Sequence, residues 1–162
     1  MPHTPLLGAA AVVLLAACGG SSERTSAATA AERCDILTAA DVQAVTGVAV
    51  TRIDRNAAMG AGGTCVNFAS PDGRAYLGVN RLESQGEFTA SVEAVPSDVY
   101  PDRSPVAGLG DEAVLFEGPG GLRYLVARKG EAGIVLFPLG EGFEMTDDQL
   151  RELASRALAA AA

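Results

Sequence analysis

The chain has 162 residues, of which 48% are hydrophobic but only 5% aromatic, with no Trp and a formal net charge of -8. Its twelve basic residues are scattered, so it lacks the concentrated Lys/Arg face that nucleic acid or anionic lipid headgroups require. The length suits one domain with a core of Val, Leu, Ile and Ala, and so few aromatic residues predict no large exposed aromatic platform.

The N-terminus carries the most specific signal. Leu6 to Ala17 is a twelve-residue run of Leu, Val, Ala and one Gly, the length of a signal-peptide hydrophobic region and too short to span a bilayer. It ends in Leu15-Ala16-Ala17-Cys18, which resembles the bacterial lipobox: an aliphatic residue, two small residues, then cysteine. That resemblance implies a diacylglyceryl group on the Cys18 thiol and cleavage just before it, making residues 1–17 a lipoprotein signal peptide. The segment Met1 to Pro5 departs from the pattern, having no Lys or Arg. An ordinary secretory signal with an incidental cysteine, giving a secreted protein, is the alternative. Three cysteines is an odd number, and an odd cysteine in an exported chain calls for an explanation. If Cys18 carries lipid, Cys34 and Cys65 remain as a pair for a disulfide in an oxidising compartment, with two free buried thiols as the alternative. Gly19 to Arg33 has no large apolar residue and reads with Cys18 as an anchor and flexible tether, residues 18–33, with an end-to-end distance of about 20–23 Å.

The folded domain is expected over residues 34–162. Thr38 with Asp41 suits a helix N-terminus and Gly47 a left-handed C-terminus, so a short helix is predicted over 39–46. Strands follow over Val48–Ile53, Thr64–Ala69 and Arg74–Arg81, the last two joined by the turn residues Ser70-Pro71-Asp72-Gly73. Glu87–Val95 is a weaker helical segment, and Pro96–Pro105 reads as loop. A second group of strands is predicted over Glu112–Phe116, Leu122–Arg128 and Gly133–Leu139. The last helix has a Thr146/Gln149 capping box and an apolar stripe of Leu150, Leu153, Ala154, Ala157 and Leu158, with i,i+4 pairs Asp147–Arg151 and Glu152–Arg156. Ala159–Ala162 reads as its fraying end. Two groups of strands without regular βαβ alternation predict an α+β fold with a mostly antiparallel sheet. Its N-terminal short helix and C-terminal amphipathic helix pack on one face.

The chemistry-bearing residues exclude more than they include. His3 is the only histidine and lies in the expected signal peptide, so the exported chain lacks the base of a Ser-His-Asp or Cys-His mechanism and the commonest transition-metal ligand. Cys34 and Cys65 form no CxxC, and no G-x-S-x-G is present. Gly60-Ala61-Gly62-Gly63-Thr64 lacks the G-K-[ST] of a phosphate cradle and reads as a connection. Lys129, the single lysine, sits beside Gly130 in an expected turn, where it is solvated rather than activated. Asp111 and Glu112, with Asp98 and Asp102 before them, are the carboxylates that a hydrolase would use; solvated charges at a turn and strand entrance are the simpler reading. No catalytic, cofactor-binding or metal residue is assigned.

One resemblance covers nearly the whole domain. A lipobox and tether, then "CDILTAADVQAVTG" (Cys34–Gly47), Cys65, "GLGDEAVL" (Gly108–Leu115), "VARKGEAGIVL" (Val126–Leu136) and "TDDQLRELASRAL" (Thr146–Leu158), resemble the actinobacterial cell-envelope lipoproteins of the domain of unknown function 3558 family. The order and spacing of the segments carry the match. It implies an exported, anchored α+β domain and transfers no catalytic residue. The function expected is a non-enzymatic sensor or accessory domain on the outer face of the cytoplasmic membrane, held by lipid on Cys18 and binding a small ligand or an envelope protein. A carrier of an apolar molecule and a carboxylate-dependent hydrolase of envelope polymers are the alternatives.

Overall fold

The computed structural model describes residues 34–53, 65–140 and 143–162. Cys18, the tether and the Gly60–Thr64 connection lie outside these residues. Seven strands form one sheet in the order β1-β2-β3-β7-β6-β5-β4, antiparallel at every pairing. They are β1 (Thr51–Ile53), β2 (Val66–Ala69), β3 (Tyr76–Leu82), β4 (Asp102–Pro105), β5 (Glu112–Glu117), β6 (Arg123–Lys129) and β7 (Ala132–Leu139). Three α-helices accompany them: α1 (Ala39–Thr46), α2 (Gln85–Glu93) and α3 (Asp147–Ala161). The α+β class and the antiparallel sheet are as the pattern predicted, but the two expected groups of strands merge into one sheet through the β3–β7 pairing.

Alternation sorts the strand side chains into two layers. Val66, Phe68, Leu77, Val79, Leu115, Leu125, Ile134 and Leu136 face one side, where they are buried together with Leu150, Leu153, Ala157 and Leu158 of α3 and Val42 of α1. Ile36 and Leu37, ahead of α1, join the same core. Each fully buried Leu or Phe in this layer contributes about 1.5–3 kcal/mol. The N- and C-terminal helices therefore share one face as expected, whereas α2 lies on the opposite face. There Phe88 and Val92 pack against Leu82, Val114, Val126 and Val135. The central strands are apolar on both sides because both sides are covered.

Local signals set the helix ends. Thr38 and Asp41 form a reciprocal capping box on α1, and Gly47 ends it at φ 75°. Hydrogen bonds from Thr38 hold the Asp41 carboxyl below its ordinary pKa. Thr146 and Gln149 do the same capping at α3. Two expectations for α3 are corrected. Asp147 pairs with Arg123 across to β6 at 2.6 Å, and Arg151 donates to the carbonyl of Ala107 instead of pairing with Asp147. The alanine-rich end does not fray: Ala161 is buried, and its carbonyl accepts from the Arg81 guanidinium at 2.9 Å, a cation at the negative end of the helix dipole. Glu152 and Arg156 form the predicted i,i+4 pair.

The segment read as loop, Pro96–Pro105, contains β4, whose four residues are all exposed. Its register against β5 turns Asp102 and Ser104 inward to the ladder and leaves the backbone groups of Arg103 and Pro105 pointing outward. Pro101 and Pro105 have no N–H, so Arg103 offers the one outward donor of this stretch. That arrangement blunts a sheet edge against pairing with another chain.

Candidate functional site

Of the carboxylates singled out in the sequence, Asp111 and Glu112 are occupied in holding the end of β6 and its turn into β7. Asp111 accepts the Gly130 N–H at 2.7 Å and donates its own N–H to the Arg128 carbonyl at 2.8 Å. Glu112 pairs with Arg128 Nε at 3.2 Å. Asp98 is exposed in a turn, and Asp102 lies on β4 opposite Glu117. Asp41 and Asp72 are shifted downward in pKa, through hydrogen bonds from Thr38 and Ser70 respectively, which suits fixed anions and not general acids. Lys129 is exposed at the end of β6, as its sequence context predicted. Among the described residues no group of three or more His, Cys, Asp or Glu could hold a metal ion.

Two cavities bear on the remaining alternatives. An open cleft of about 770 Å³ at the β6–β7 turn is lined by both signs of charge, among them Arg81, Lys129, Asp111 and Glu131. Its walls are the same turn and helix-end contacts that organise the fold. Beneath the start of α3, Val106, Leu115, Leu125 and Leu150 line a gap of about 80 Å³ together with the polar Ser104, Asp147 and Arg151. Ligand pockets typically enclose roughly 300–1,000 Å³, so this gap is a packing defect and not a lipid chamber.

Cys34 and Cys65 are joined as a disulfide, with Cα atoms 5.0 Å apart across a sequence separation of 31. It ties the entry of the domain to the start of β2.

The feature that sequence reading missed lies on the second face, beside α2. Composition predicted no large exposed aromatic platform, and none of the rings is exposed, but it gave no sign that five of the chain's eight aromatic residues meet there in one connected strip. Tyr76 meets Phe137 with ring centroids 6.3 Å apart, and Phe137 meets Tyr124 at 6.1 Å with ring planes 20° apart. Tyr124 in turn touches Tyr100 at 6.0 Å and Phe116 at 6.2 Å. Arg103 closes the row, its guanidinium 5.4 Å from the Phe116 centroid. All but Phe116 are half-buried or exposed. Val99, next to Tyr100, is the large hydrophobic residue left exposed among the described ones, at 39%.

Two glycines make the strip. Gly78 on β3 leaves the space that the Phe137 ring fills: a Cβ there would sit 1.9 Å from Phe137 Cζ. Gly118 lets the Val99–Tyr100 turn close onto the β5–β6 connection, since its Cβ would meet the Val99 carbonyl at 2.4 Å. Gly78→Ala is expected to cost about 1–3 kcal/mol through overpacking, and trimming the ring with Phe137→Leu in the same chain should recover most of it. Denaturant unfolding of the two single variants and the double variant measures this; a neutral Gly78→Ala would show that the ring does not rest there. The strip stops at β3, because Asn67, in the same row on β2, is a buried polar side chain whose Oδ1 accepts no hydrogen bond.

Burial pushes the phenols of Tyr100 and Tyr124 above the ordinary value of 10.0, with the neighbouring Tyr100 adding to the effect on Tyr124. A phenol that ionises later in the folded chain contributes stability that is complete below its unfolded pKa. That stability is lost as pH rises from near 10 through the folded value. Alkaline unfolding should therefore steepen above pH of about 10, and Tyr124→Phe should flatten that limb. An unchanged slope in the variant would remove Tyr124 from the account.

No family model, curated protein or solved structure matches this chain in the comparisons made.

Proposed function

We propose that this protein is an exported, lipid-anchored, non-enzymatic binding domain of the cell envelope, and that the aromatic strip is its binding surface. The anchor rests on the lipobox-like Leu15-Ala16-Ala17-Cys18 and on cysteine arithmetic, in which Cys18 is left over once Cys34 and Cys65 pair. The resemblance to the domain of unknown function 3558 lipoproteins points the same way. Binding rests on one observation: a chain poor in aromatic residues gathers five of its eight, four of them only partly buried, beside an exposed Val and Arg on one side of its sheet. Aromatic residues and Arg are enriched in interface cores, and contiguous exposed apolar surface marks interaction sites. Asp111 and Glu112 are held in structural contacts, which favours binding over hydrolysis.

Photo-crosslinking in intact cells tests the surface. A benzophenone side chain replacing Val99 in the full chain should give a discrete adduct on irradiation, whereas one replacing the exposed Ser155 of α3 should not. Equal adducts from both positions, or none from either, would reject the strip as the binding surface.

A further inference from the structure

Adding a strand to an exposed edge is the simplest way for a sheet to take a partner. The β4 edge is built against it, with Pro101 and Pro105 flanking the one outward donor at Arg103. The neighbouring face is less fully covered. On the first face α1 and α3 both cover the core, while on the second α2 alone packs over β3, β6 and β7. The aromatic strip lies beside α2 in that second layer, where among the described residues no helix is laid across it and four of its five rings are only partly buried.

We propose that the strip seats an amphipathic helix of a partner protein, laid beside α2 and carrying a carboxylate where it meets Arg103. This rests on the reading of the strip as a binding surface. From β3 to β4 the strip crosses four strand spacings, about 19 Å, which roughly thirteen residues of helix would cover. The apolar face of such a helix would lie on the rings, with the phenols of Tyr76, Tyr100 and Tyr124 and the Arg103 guanidinium left to meet polar groups along its flanks. Arg103 supplies the charge complementarity: its guanidinium lies over the Phe116 ring, and no carboxylate among the described residues pairs with it. In a chain of net charge -8, one cation at the end of an apolar strip gives an acid-bearing helix a single favoured register. Anionic membrane surfaces are disfavoured by the same net charge.

The Val99 adduct decides the occupant. Protease digestion and mass spectrometry should map it to one segment of one protein, with apolar residues at i, i+3, i+4 and i+7 and an acidic residue at one end. That segment, made as a synthetic peptide, should gain helical circular dichroism on binding the full chain. It should also change the tyrosine emission, which in a protein without Trp reports on this strip alone. Arg103→Glu should weaken binding roughly tenfold or more, and exchanging the peptide's acid for Lys should restore it. Arg103 is exposed, so the variant should keep its melting temperature. An adduct that is lipid or glycan, a peptide that stays non-helical, or indifference to the charge swap overturns the helix while leaving the binding surface intact. Absence of any adduct overturns both.

Discussion

Cys18→Ala is expected to move the protein from the membrane fraction to the soluble one, and to remove the acyl mass from the processed chain. The magnitude follows from hydrocarbon burial. Each buried CH₂ contributes about 0.8 kcal/mol, so two or more acyl chains hold a protein to a bilayer where one chain gives only reversible association. Among the described residues no helix is long and apolar enough to cross a membrane. A lipid on Cys18 is the proposed anchor, and its loss should be close to all-or-none. Fractionation with intact-mass measurement reads both effects. A Cys18→Ala chain that stays with the membrane, from a parent that carries no lipid mass, would overturn the lipid anchor. Substitutions in the strip, such as Arg103→Glu, should leave the fractionation unchanged, which separates anchoring from binding.

Replacing Cys34 and Cys65 together by Ser should destabilise the fold by about 3–4 kcal/mol, from the loop entropy released across a separation of 31 residues. That corresponds to a fall in melting temperature of roughly 10–15 °C for a domain of this size. The loss matters here because the elements joined are individually weak. Helix α1 has eight residues with Val42 as its one buried side chain, and β1 has three residues. The bridge holds Ile36 and Leu37 in the core ahead of α1, so its removal should first release the N-terminal end of the domain. Calorimetry on oxidised parent and double variant measures the difference. Equal melting temperatures would mean that packing of Ile36, Leu37 and Val42 alone holds this end.

Much of the domain was legible because its signals are local. The capping residues Thr38 and Thr146, the turn Ser70–Gly73 and the apolar stripe of α3 each depend on residues within a few positions of one another. Predicted strand and helix positions fell within a few residues of those observed. The strand β4 was hidden for a physical reason: an exposed edge needs no apolar alternation, and Pro-Asp-Arg-Ser-Pro, read locally, is a loop. The pairings of Asp147 and Arg151 were misread because α3 lies against β6 and the Ala107 carbonyl, which offer closer partners than the next turn of the helix.

Residue identity and short-range periodicity were enough for the lipobox-like run ending at Cys18, the count of three cysteines, the single histidine at His3 and the α+β class. That α2 lies opposite the other helices became visible in the folded chain. The tertiary structure also decided that Asp111 and Glu112 serve a turn, and that Tyr76, Tyr100, Phe116, Tyr124 and Phe137 form one strip. Those residues come from β3, β5, β6, β7 and the approach to β4, and the strand order β3-β7-β6-β5-β4 is what brings them side by side. Strand order depends on which faces bury together across the whole chain, so no local pattern carries it.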